Sequence, residues 1–140
     1  MTAVMHARRK IFVNLPVNDL ADSVAFFSKL GFRFNPEFTD EQAACMVVSD
    51  DAFVMLLPRD FYASFTTKSV VDSTTHNEVI LAISADSRDE VDRLVARALE
   101  SGGAPSAAKI VDGPMYGWSF ADVDGHLWEV LYMDPADVAR

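Results

Sequence analysis

The sequence predicts one α+β domain built from two βαβββ modules, and three observations carry that reading. Two stretches combine helical apolar spacing with end signals. Each is preceded by a short apolar run and followed by further strand-like runs separated by turns. The two halves also repeat in order. The helix starts at Asp19 and Ser87 lie 68 residues apart, and the hairpin turns at Asp51 and Gly125 lie 74 apart. Modules of this size cannot bury a sheet face alone and pair within one fold. The boundaries follow: residues 1–140 as one domain, with module one about 8–65, a linker at 66–75 and module two about 76–134.

Each element has a local reason. Ile11 to Leu15 is a strand, and Asn18-Asp19 caps a helix whose stripe is Leu20, Val24, Phe27 and Leu30, closed by Gly31. Phe32-Arg33-Phe34 reads as a short strand. Ala43 to Val48 and Ala52 to Leu57 flank the turn Ser49-Asp50-Asp51. The Ser- and Thr-rich segment Thr66 to Asn77 reads as a flexible connection. Val79 to Ala85 is the next strand. Ser87 and Glu90 form a capping box ahead of Val91, Leu94, Val95, Ala98 and Leu99, ended by Gly102-Gly103. Ser106 to Ile110 reads as a short strand, and Met115 to Phe120 and Leu127 to Tyr132 flank the turn Asp122-Val123-Asp124-Gly125.

Composition narrows the function classes. Twelve Lys and Arg against 21 Asp and Glu give a net charge of −9, the wrong sign for a phosphate-binding surface, so no nucleic acid or anionic membrane is expected as partner. No apolar run reaches the roughly 18 residues of a membrane span, and no signal-like h-region follows the basic start, so a cytoplasmic location is expected. The single cysteine, Cys45, lies in an apolar run and reads as a buried inert thiol.

Two motifs carry a resemblance. Phe12-Val13-Asn14-Leu15-Pro16-Val17-Asn18-Asp19-Leu20, with Ser23, Phe26-Phe27 and Leu30-Gly31-Phe32, resembles the opening of the glyoxalase / bleomycin-resistance / extradiol-dioxygenase (vicinal oxygen chelate) superfamily. Phe120 to Val130 resembles its D-P-D-G-x-x-x-E ending, with Val123 in place of Pro. The resemblance implies paired modules forming a concave mixed sheet, a cup, with the helices outside. It also implies a homodimer.

In metal-binding members of that superfamily the cup's inner face holds four ligands. The motif spacing and the two offsets assign them to Phe12, Met55, Ile80 and Glu129. Three of these cannot hold a divalent metal, so neither a metal nor any other cofactor is expected. Glu129 is the candidate catalytic group. In an apolar cup, desolvation would favour its protonated form and suit it to proton transfer or to pairing with a ligand cation. A structural role, hydrogen bonded to Asn14, is the competing reading.

Phe12, Asn14, Phe53, Met55, Ile80 and Glu129 form the expected ligand-binding set. Tyr116, Trp118, Phe120 and Trp128 read as core, Trp128 beneath a helix. Phe61 to Phe65 reads as a lid and Gly113 to Gly117 as a second rim. His6 and the exposed-reading His76 and His126 suggest no ligand cluster, although His76 with Glu78 and Glu129 is a conceivable atypical metal site. Together these readings predict a metal-independent binder of an apolar or aromatic small molecule, cations among the candidates. The alternative is a lyase or isomerase resembling glyoxalase I, with Glu129 beside a metal on atypical ligands.

Overall fold

The computed structural model describes residues 8–135, and the chain divides into two units between Val70 and Val71, inside the expected linker. His6 lies outside the described residues. In the first unit, β1 (Ile11–Val17) leads into α1 (Leu20–Lys29), β2 (Arg33–Phe34), a 3₁₀ turn (Pro36–Phe38), β3 (Ala44–Val47), β4 (Ala52–Pro58) and a short helix α2 (Arg59–Ala63). Its four strands run in the order β1-β4-β3-β2, with β1 and β4 parallel and the other pairs antiparallel. The second unit holds β5 (Ile80–Ser84), α3 (Arg88–Glu100), β6 (Ala104–Pro105), β7 (Ile110–Asp112), β8 (Met115–Ala121) and β9 (Leu127–Met133). The order there is β5-β9-β8-β6, with β7 also on β8. The architecture is thus α+β with two mixed sheets, one per module, rather than one sheet.

The two long helices, α1 and α3, form where their caps place them. The Asp19 carboxylate accepts from the Asp22 amide at 3.0 Å, and the Phe32 amide closes the far end on the Phe27 carbonyl at 3.1 Å. Ser87 accepts from the Glu90 amide at 3.0 Å, while the Glu90 carboxylate reaches past the cap to the Asp86 amide at 2.7 Å. Each helix covers one face of its own sheet. Leu15, Val17, Met46, Val54 and Leu56 are buried with Phe26 and Phe27 in the first unit. In the second, Phe120, Trp128 and Val130 are buried with Val91, Val95 and Ala98. Phe120 and Trp128 stack at 6.3 Å, and Trp128 packs toward the α3 side as its strand parity requires.

Three expectations need correction. The strand expected over Ser106 to Ile110 is two shorter ones, β6 and β7. Between them Ser119 takes over the pairing: its hydroxyl accepts from the Ala107 amide at 3.0 Å and donates to the Ala107 carbonyl at 3.3 Å. The rim expected over Gly113 to Gly117 is a turn at Gly113-Pro114 only. Gly117 lies inside β8 opposite Leu131, where a Cβ would stand 2.5 Å from the leucine Cδ2.

The flexible connection is, in its second half, a bonded turn. The Asp72 carboxylate accepts from the Thr74 amide and hydroxyl at 2.9 and 2.6 Å, and its carbonyl accepts from the His76 amide at 2.8 Å.

Candidate functional site

Strand pairing fixes which side chains share a face. In the first unit Phe12 pairs with Phe53 and Asn14 with Met55, on the face opposite α1. The two phenylalanine rings stack at 4.9 Å with their planes 14° apart, and Phe12 keeps 48% of its surface exposed. The Asn14 amide donates to the Phe12 carbonyl of its own strand at 3.3 Å.

Beyond Asn14 the same face ends in a cavity of about 400 Å³ lined by Asn14, Leu57, Tyr62, Phe65 and Thr66. Two of those residues come from the segment expected to be a lid. It is a helical turn, not a loose flap, because Pro58 ends β4 and Ser64 caps α2 with a hydroxyl bond to the Phe61 carbonyl at 2.6 Å. Phe61 and Phe65 meet edge to face at 5.0 Å. The Arg59 guanidinium donates to the Val70 carbonyl at 3.1 Å and ties the start of α2 to the chain beyond it. Sequence reasoning missed α2, which at 5 residues is too short to show periodicity.

In the second unit Ile80 pairs with Leu127, and Glu129 lies between Ala82 and Ser119, all on the face opposite α3. Glu129 is half-buried, so its desolvation is partial. The expected site residues therefore fall into two groups. The structure brings Phe12, Asn14, Phe53 and Met55 together on one sheet, and Ile80 with Glu129 on the other.

The D-x-D-G turn is a site of structure. Asp122 accepts from the Asp124 and His126 amides at 2.9 and 3.0 Å and from the Trp128 indole at 3.0 Å. Burial pushes its carboxyl above the ordinary value, and the nearby His126 and these donors offset part of that rise. His126, expected at the surface, is only 7% exposed. The turn is covered by the Asp72 segment, whose Ser73 hydroxyl donates to the Asp124 carbonyl at 2.6 Å. A second cavity of about 500 Å³ lies here, between Ser73 to Asn77 and the Ala121 to Leu127 hairpin. Cys45 is buried as expected, and burial pushes its thiol up, away from the reactive thiolate.

Comparison with known proteins bears on this arrangement. Residues 9–49 match the family model described as bleomycin resistance protein-like N-terminal. A hypothetical protein from S. aureus is 29% identical over 92% of this chain and 95% of its own, with a TM-score of 0.77. A glyoxalase/bleomycin resistance protein/dioxygenase family enzyme from Burkholderia phytofirmans aligns at a TM-score of 0.72, with 17% identity, over 87% of this chain and 96% of its own. The chain thus shares the fold of proteins named glyoxalase/bleomycin resistance/dioxygenase, and its residues 9–49 resemble a bleomycin-resistance-type N-terminal segment.

The fosfomycin resistance protein FosX from Mesorhizobium loti also shares the fold, at a TM-score of 0.66 and 14% identity, over 97% of this chain and all of its own. No curated protein matches the chain in sequence. The divalent metal implied by the sequence resemblance does not fit the residues at the four assigned positions. Phe12, Met55 and Ile80 carry no nitrogen or oxygen donor, and Glu129 alone offers one. Among the described residues no three His, Cys, Asp or Glu side chains gather as a metal would require, His76, Glu78 and Glu129 included.

Proposed function

We propose that the protein is a bleomycin-resistance-like small-molecule binding or sequestering protein that works without a metal, on the open faces of its two sheets. One observation carries the reading: an exposed, stacked Phe12–Phe53 pair lies on the same sheet face as Asn14, Met55 and a cavity of about 400 Å³. That volume is in the range of small-ligand sites, which are apolar surfaces with a few placed polar groups. Asn14 is the polar group assigned to orient a ligand on the first sheet, and Glu129 beside Ile80 is the corresponding group on the face of the second. The match to a bleomycin-resistance-type model supports a sequestering role over a catalytic one.

A homodimer in the cytoplasm is part of the same proposal, and sedimentation should give near twice the 15.4 kDa chain mass. A thermal-shift screen of aromatic small molecules, with and without chelator, tests the function. Hits should be aromatic, should survive chelation and should weaken in Phe12→Ala. Hits that vanish with chelator would reject the reading in favour of a metal-dependent lyase or isomerase.

A further inference from the structure

We infer that the ligand of the β1–β4 face is an aromatic molecule with a negative charge, such as an arylcarboxylate. Its ring would lie against Phe12 and Phe53 and its anionic group between Lys10 and Arg33. The inference rests on the reading that this face is the ligand site, and it goes further by fixing the ligand's charge.

The pairing register sets the frame. Phe12 pairs with Phe53, Phe53 with Val47 and Val47 with Arg33, so the four form one row across the sheet, on one face. Strands about 4.8 Å apart put the Arg33 backbone about 10 Å from that of Phe53, within reach of a long side chain. Lys10 precedes Phe12 by two residues and holds its ammonium 5.5 Å from the Phe53 ring centroid.

Charge then decides between ligand classes. The −9 net charge of the chain favours cations in general. On this face the balance is reversed. A cation would seek the electron-rich face of Phe53, and Lys10 already occupies it. The Lys10 countercharge is shared, since Asp51 lies 3.6 Å from the Lys10 ammonium and 3.0 Å from the Arg8 guanidinium. The Arg33 side chain is exposed and makes no hydrogen bond or ion pair among the described residues. A second cation would therefore meet like charge, whereas a carboxylate gains two partners, one of them a fork suited to bidentate binding.

The other end of the face agrees. The cavity past Asn14 is lined by no charged residue, so it takes the apolar part of the ligand. Asn14 lies about 7 Å along the strand from Phe12. A fused aromatic ring system with an acid at one end spans that arrangement.

Isothermal titration of the full chain with naphthoate, naphthamide and naphthylmethylammonium tests this. Naphthoate should bind about three- to tenfold tighter than the neutral amide, as befits exposed charges, and the ammonium weakest. The margin should shrink as salt rises. Arg33→Gln should weaken naphthoate more than naphthamide, and Phe12→Ala should weaken both. Equal or tighter binding of the amide or ammonium overturns the charge assignment and leaves the site reading standing. If none of the three binds, or Phe12→Ala changes nothing, both fall.

Discussion

Asp122 shows how far one side chain can fix a local structure here. Its two carboxylate oxygens take three N–H groups, from Asp124, His126 and the Trp128 indole. Asp122→Ala would leave buried donors without acceptors, and we expect a loss of about 3 kcal/mol, read as a lower urea midpoint. Asp92 behaves differently because it is far more exposed. The Tyr116 hydroxyl donates to it at 2.6 Å, Lys109 lies at 3.3 Å, and together they hold its carboxyl below the ordinary value of 3.8. A depressed folded pKa contributes stability above the unfolded value and loses it as pH falls through the folded one. Asp92→Asn should therefore lower stability at neutral pH and flatten its decline below about pH 4. The slope of melting temperature against pH checks this; an unchanged acid slope would show that the Tyr116 bond does not govern the titration.

Elements were legible where local chemistry and tertiary context agree. Both long helices announce themselves through cap, stripe and stop, and Ser87→Ala should cost about 1 kcal/mol in chemical denaturation, the ordinary value of a lost N-cap. The β3–β4 and β8–β9 hairpins also follow their patterns. What could not be read depends on partners distant in sequence. The gap between β6 and β7 exists because Ser119, 12 residues on, bonds Ala107. His126 looks exposed after a turn, yet the Asp72 segment covers that turn from about fifty residues upstream. Gly125 records the same contact. Its φ is +88°, and a Cβ there would lie 2.6 Å from the Ser73 carbonyl oxygen. Gly125→Ala should thus destabilise the fold by about 2–4 kcal/mol, with backbone strain and a backbone clash acting together. A melting temperature within a degree of the parent would mean that the 72–77 segment yields freely.

At the scale of the molecule, the two modules correspond residue by residue. The Phe12–Phe53 pair matches Ile80–Leu127 and Asn14–Met55 matches Ala82–Glu129, at the offsets of 68 and 74 that the sequence displays. In this register the positions assigned from the resemblance carry three apolar side chains and one carboxylate. A one-residue slip would turn every side chain to the helix-covered face. What was legible is the placement: the repeat puts Phe12 and Met55 on one face of the first sheet and Ile80 and Glu129 on one face of the second before any coordinate does. The cavity was not, because Tyr62 and Thr66 join it only through α2. The register has a thermodynamic consequence. A protein that binds a metal in its folded state alone gains about 4 kcal/mol when the ion is at a thousand times its Kd. Glu129 alone cannot support such binding, so zinc, nickel, manganese or ferrous iron should leave the melting temperature where chelator leaves it. For a domain of this size 1 kcal/mol corresponds to a shift of about 3 °C, well within detection. A rise of several degrees with one ion, abolished by Glu129→Gln, would mean that other donors complete a site around that carboxylate.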